Sequence, residues 1–190
     1  MEKLHLLITL LLALSSNLDN LVVSISYGTR KINIPFASNL LIAVITGSAT
    51  LAAMLAGKFI SGLIHPWYAN YIGAMLIVFS GIRIFINETL RTCEYDAPIK
   101  YIDSRGTISL KDGFLLGLAL TVNNLANGIG AGMTGLSHIL TPLFVAAFSL
   151  ISIWLGLKIG YNCFSRLPVI LAGPASGLLL ILIGLFEMFY

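Results

Sequence analysis

Charge is scarce in this chain. Lys, Arg, Asp and Glu together make up 10% of its 190 residues, where a soluble domain carries about 25%. Hydrophobic residues make up 57%, and the mean hydropathy is +0.94. A water-soluble fold of this size cannot hide so much apolar surface, so the expected solvent is a lipid bilayer. Cysteine is almost absent. Cys93 and Cys163 form no metal-binding spacing, and the topology derived below puts both on the cytoplasmic side, where free thiols are expected. There is no nucleophile elbow, zinc-ligand motif or phosphate loop, so no enzyme is expected. The basic residues form no continuous face, which excludes nucleic acid as a partner. They sit between apolar runs, as juxtamembrane anchors do.

Long apolar runs are what the chain does have. A membrane helix needs about 20 largely apolar residues. Six stretches qualify: Leu4 to Tyr27, Phe36 to Ile60, Tyr68 to Ile86, Gly113 to Leu136, Leu140 to Tyr161 and Pro168 to Phe189. Gly28 to Lys31 with Pro35, His65-Pro66, Ser137-His138 with Pro142, and Arg166 before Pro168 separate them. The start of the chain, with Lys3 ahead of an apolar run and Ala13-Leu14-Ser15, has features of a cleaved signal peptide. The apolar run continues past Ser15, however, so the segment is read as a helix. The expected fold is an all-α integral membrane protein, one domain over residues 1–190, with six transmembrane helices.

A polar segment from Asn87 to Asp112 divides the helices three and three. It is read as an exposed connector between a first repeat (approximately residues 4–86) and a second (approximately 113–190). Arg30, Lys31, Arg83, Arg91, Lys100, Arg105, Lys111, Lys158 and Arg166 fall on the connector side, and only Lys3 and Lys58 on the other. Positive charge stays in the cytoplasm. The expectation is therefore a multi-pass protein of the inner (plasma) membrane with a cytoplasmic connector and both termini outside. Trp67, Tyr68, Tyr161 and Tyr190 read as interface anchors.

The two halves resemble each other. Leu18 to Gly28 aligns with Val122 to Gly132, matching Asn20 with Asn124, Leu21 with Leu125, Ile25 with Ile129 and Gly28 with Gly132. Met54, Leu55 and Lys58 are set against Trp154, Leu155 and Lys158, and Gly73 against Gly173. Three helices per half is an odd number, so the second half enters the membrane in the opposite sense. This is an inverted repeat, the plan of many secondary transporters, whose substrate site lies near the midplane between the halves.

Asp19 is the only acidic residue well inside an apolar stretch, and an ionisable group at that depth points to function. Asn17, Asn20 and Ser24 share a helical face with Ser16 nearby, and Asn123 and Asn127 share another with Asn124 beside them. One carboxylate and several amide oxygens are hard ligands, suited to Mn²⁺, Mg²⁺ or Ca²⁺. Gly128, Gly130, Gly132 and Gly135 permit an unwound turn that exposes further carbonyls. The candidate metal ligands are Asp19, Asn20, Asn123, Asn124 and Asn127, with the cation as substrate and no resident cofactor. The plainer reading is that these asparagines only tie helices together. Small residues four apart, such as Ala49, Ala53 and Gly57, or Gly156 and Gly160, read as packing contacts. Arg83 and Glu187, near helix ends, read as snorkelling residues.

Asn17-Leu18-Asp19-Asn20-Leu21, followed by Ile25 to Lys31, resembles the opening of the sporulation membrane protein YtaF family. Ile108 to Asp112, Leu116 to Leu120, Asn123-Asn124-Leu125 and Gly128 to Gly132 resemble its second half. That family is related to the MntP-type manganese efflux pumps. The resemblance implies a six-helix inner-membrane exporter of a divalent cation, with Mn²⁺ favoured, and sets Asp19 at the first-half aspartate of the pumps. It departs at Asn123, which stands where the pumps have a second aspartate. One carboxylate leaves a bound divalent ion with net positive charge in a low-dielectric setting, which is costly.

Two functions follow as expectations. The first is a secondary transporter working by alternating access, with the lipid bilayer and the cation as partners. The second is a non-transporting scaffold for envelope or spore assembly, acting through the connector. The sequence leaves open whether the halves pack within one chain or across a homodimer.

Overall fold

The computed structural model describes residues 2–90, 107–162 and 167–189. Cys93, Cys163 and most of the connector lie outside them. The described chain is helical throughout: α1 (Glu2–Ser15), α2 (Leu18–Thr29), α3 (Phe36–Leu63), α4 (Pro66–Leu90), α5 (Leu110–Met133), α6 (Leu140–Asn162) and α7 (Leu167–Phe189). By length and apolarity, α1 with α2 over His5–Thr29, then α3, α4 over Trp67–Ile86, and α6 are each able to span a membrane. The two arms of α5 make a fifth span if taken together. The described side chains of α7 supply only a shorter apolar stretch, Pro174–Met188. The expected helix boundaries hold to within a few residues, but the first expected helix is in two pieces. The connector is not wholly exposed either, because Ile108 is fully buried and its N–H donates to the Asn33 carbonyl at 3.0 Å.

Local chemistry explains the helix ends. Pro66 opens α4, where its fixed φ suits a first turn and its missing N–H costs nothing. Ser109 caps α5 by accepting the Asp112 N–H at 3.2 Å. The ends of α2 and α5 are alike. Lys31 (φ +58°) and Gly135 (φ +82°) are the only described residues with left-handed backbone, each the second residue after its helix. Ile32 N–H then reaches back to the Tyr27 carbonyl at 3.0 Å, and Leu136 N–H to the Ala131 carbonyl at 3.2 Å. Both are six-to-one closures of the Schellman type.

Packing runs mainly between the halves rather than within them. α3 lies on α5 as α2 lies on α6, α4 lies on α5 as α1 and α2 lie on α7, and α3–α6 and α4–α7 complete the bundle. The glycine contacts follow the same exchange. Gly160 abuts the Ile25 carbonyl, and Gly57 abuts the Ile129 carbonyl. Gly28 abuts Leu157, and Gly132 abuts Met54. Gly81 and Gly177 face each other's carbonyl oxygens, so close that an added Cβ would lie 2.7 Å and 2.6 Å from them. Ile25 and Gly28 of α2 thus meet α6 much as Ile129 and Gly132 of α5 meet α3.

Two apolar clusters close the bundle. At the connector end, Val23, Tyr27, Ile32, Ile34, Ile42, Ile108, Leu116, Leu120 and Ile153 pack together. At the opposite, terminal end, Ile8, Leu12, Met54, Ile77, Ala131, Leu136, Leu180 and Ile183 do so. Asn17, Asn20, Asn124 and Asn127 fall between the clusters along their helices.

Candidate functional site

The first span breaks at Ser16 and Asn17, and one side chain accounts for it. Asn17 N–H turns to the Leu14 carbonyl at 3.1 Å, three residues back. The Ala13 carbonyl, its partner in a regular helix, receives Asn17 Nδ2 instead, at 2.7 Å. A side-chain amide replaces the backbone amide, the competition that makes asparagine poor in helix interiors. The same Nδ2 reaches the Val145 carbonyl of α6 at 3.1 Å. Asn17 is wholly buried, so its bonds face no competition from water.

Asp19 follows the break in the first turn of α2 and is half-buried. Its Oδ1 accepts the Asn20 backbone N–H at 2.8 Å, satisfying one of the orphan donors of a helix start. A carboxylate is favoured there by the positive end of the helix dipole. Asn20 is also wholly buried. Its Nδ2 donates to Asn17 Oδ1 at 2.9 Å and to Ser149 Oγ of α6 at 3.0 Å, and Ser24 Oγ donates to its carbonyl. From the second half, Asn127 Nδ2 donates to Ser16 Oγ at 3.3 Å, which seats α5 on the break. α5 is itself bent by 51° at Asn123, between Leu110–Val122 and Asn124–Met133. The Asn123 side chain lies outside the described set.

Several polar atoms here are buried without a partner: Asn20 Oδ1, Asn127 Oδ1, Asn124 Nδ2 and, at the start of α6, Thr141 Oγ1. Buried polar atoms are nearly always bonded, and each orphan costs about 1–3 kcal/mol. Two of the four are amide oxygens from opposite halves, the donors a hard cation needs. The buried unpartnered atom of Asn124 is its nitrogen. Among the described residues no three of His, Cys, Asp and Glu converge. A cation here would be held by one carboxylate with amide, hydroxyl and backbone oxygens.

Of the five expected ligands, the structure brings Asn20 and Asn127 to the break with a free oxygen each. It places Asp19 on the next turn and leaves the Asn124 nitrogen buried without a partner. Sequence reasoning missed Ser149 and Val145, and gave Asn17 only a place on a face. The available signal was two serines, Ser149 and Ser152, on one side of the apolar middle of α6.

A family model described as "Putative manganese efflux pump" matches residues 1–85 and 50–188. The chain belongs to the MntP family. It is 29% identical over 204 residues to "Probable sporulation protein YtaF" of Bacillus subtilis, covering 94% of this chain and 97% of that protein. It is 28% identical over 180 residues to "Putative manganese efflux pump MntP" of Halalkalibacterium halodurans, covering 92% and 90%. A protein of the same description from Bacillus licheniformis is 25% identical over 152 residues, covering 79% and 76%. No solved structure matches this MntP-family chain.

Proposed function

We propose that this protein is a secondary transporter that exports a divalent metal cation, with Mn²⁺ favoured, by alternating access between two inverted three-helix repeats. The observation that carries the reading is the pair of unpartnered amide oxygens, Asn20 Oδ1 and Asn127 Oδ1, buried at an interrupted helix next to Asp19. Interrupted helices at the repeat interface are where secondary transporters bind their ions. The family and two of its named relatives, described as manganese efflux pumps, support metal efflux.

In this reading Asp19 supplies the charge, and Asn20 and Asn127 supply neutral oxygens from the two halves. Asn123, at the bend of α5, and Asn124, after rotation of its amide, complete the set. The matching helix ends at Lys31 and Gly135 and the reciprocal glycine contacts support the repeat. Six spans, both termini outside and a cytoplasmic connector complete the topology. The apolar clusters at the two ends are the gates, and opening one at a time gives each side of the membrane its turn.

The test is metal accumulation in cells expressing the wild type or Asp19→Asn, over a panel of divalent ions. Wild-type protein lowers cellular Mn²⁺, and Asp19→Asn abolishes the effect while remaining in the membrane. Retained export in the mutant sinks the site. The sporulation protein among the relatives favours a second reading, a scaffold acting through the connector. Deleting residues 91–106 separates the two, since it disables a scaffold and spares the metal site.

A further inference from the structure

Glu187 does not snorkel. It is 4% exposed, on the last turn of α7, and its Oε1 is buried with no hydrogen-bond partner. Glu187, Ile183 and Leu180 recur at helical spacing and so share one face of α7. Ile183 and Leu180 pack with Ile8 and Leu12 of α1 and Ile77 of α4, and that same buried face carries the carboxyl. Asn70 on the second turn of α4 donates Nδ2 to the Glu187 backbone carbonyl at 2.9 Å. This satisfies an acceptor that the end of a helix leaves open and fixes the turn that bears the carboxyl.

The surroundings hold little to balance a charge. Among described side chains at this end, α1 brings His5 and α4 brings Tyr68 and Tyr71, while Lys58 of α3, His65 ahead of α4 and His138 ahead of α6 lie at the same end, and none of them bonds to Glu187 Oε1. The ionisable groups of α2, Asp19 and Tyr27, lie towards the middle and the connector end, and Arg83 of α4 lies near the connector. The side chains of Glu2 and Lys3 are outside the described set. An ionised carboxylate buried without a cation or donor is expensive, so such a group is held neutral by a proton or takes a cation. A metal needs several oxygens, and no second acidic or histidine pair joins Glu187 among the described residues. A proton needs one.

We propose that Glu187 is a proton-binding site at the terminal end of the bundle, distinct from the Asp19 site, and that it accepts the proton exchanged for the exported cation. The coupling half of this statement rests on the transport reading and the topology proposed above. The proton binds the carboxylate from the outer solution as the cation leaves, and is released to the cytoplasm in the opposite half-cycle. Glutamine, which copies the protonated form, would lock the site in one state.

The experiment uses the full chain in liposomes with Mn²⁺ as the probe. Wild-type protein exchanges Mn²⁺ for Mn²⁺ without a pH gradient and accumulates it when a gradient is applied. Glu187→Gln keeps the exchange and loses the response to the gradient, and Glu187→Asp retains both. A Glu187→Gln protein that follows the gradient like the wild type overturns the coupling role. Infrared titration of protonated carboxyls tests the site without transport. In the wild-type minus Glu187→Gln difference spectrum, where the other carboxyls cancel, a carboxyl band appears on acidification, and Glu187→Asp shifts it. No such difference band overturns the proton site. Absence of Mn²⁺ exchange by the wild type, with the band present, removes the transport reading and leaves the proton site standing.

Discussion

Lys31 and Gly135 occupy the same left-handed position, Lys31 beyond the end of α2 and Gly135 beyond the end of α5, with φ of +58° and +82°. Each lets the next residue, Ile32 or Leu136, turn back and bury itself in an apolar cluster. The two clusters are at opposite ends of the bundle, so one closing device is used twice.

Glycine adopts this backbone freely, whereas a residue with a Cβ does so at a cost of about 1–2 kcal/mol. Lys31→Gly therefore stabilises the protein by about 1 kcal/mol, and Gly135→Lys destabilises it by a similar amount. Thermal unfolding of both variants in detergent checks this. If neither moves the midpoint, the left-handed backbone does not matter energetically.

Asn17→Ala removes the amide that replaces a backbone bond at the break. The buried Val145 carbonyl loses its donor, Asn20 loses one acceptor, and the Ala13 carbonyl is left to a backbone N–H. The expected loss is about 2–3 kcal/mol of stability, together with metal export, because alanine favours a continuous helix. Wild-type export by Asn17→Ala would show that the break is not needed.

Gly57 and Gly62 lie on the same helix and respond in opposite ways. A methyl group on Gly57 would run into the Ile129 carbonyl, whereas one on Gly62 meets nothing within 4 Å. Gly57→Ala should cost about 1–3 kcal/mol through overpacking. Gly62→Ala should be neutral, or better by up to about 1 kcal/mol, because it lowers backbone entropy in the unfolded chain. Parallel melting curves in detergent decide between them.

Burial pushes the His138 imidazole below its ordinary range, and the Lys58 ammonium adds to the effect. The folded state therefore resists protonating His138 more than the unfolded state does. Above about pH 6.5 both states are neutral there and the residue contributes nothing to pH dependence. As the pH falls below that value, the unfolded chain binds the proton first and stability declines, until the folded protein is protonated too. Lys58→Met removes one cause and should move the His138 titration upward, as followed by NMR of the imidazole. An unmoved titration would remove Lys58 from the account.

Much of the architecture was legible without coordinates, since apolar length and the scarcity of charge impose helices wherever lipid is the solvent. Helices α3 and α4 begin where Pro35 and His65-Pro66 lead one to expect. Asp19 and the asparagines also stood out, because polar residues are rare enough in apolar runs to be seen singly. Gly28 and Gly132, which stood out as paired glycines, each press against a backbone carbonyl of the other half.

What the sequence determined by itself is the class of fold, the places where helices begin and end, and the depth at which polar groups must be accommodated. These depend on local properties: hydropathy, backbone preference and charge. Which asparagine is consumed in holding the bundle and which is left with an open oxygen was decided only by tertiary structure. Asn17 and Asn20 sit in the same short motif, but Val145 and Ser149 arrive from α6, 128 and 129 residues away. They take the donors of both side chains and leave Asn20 Oδ1 free. The same holds for Glu187, whose helix-end position reads as exposed until α1 and α4 pack over it.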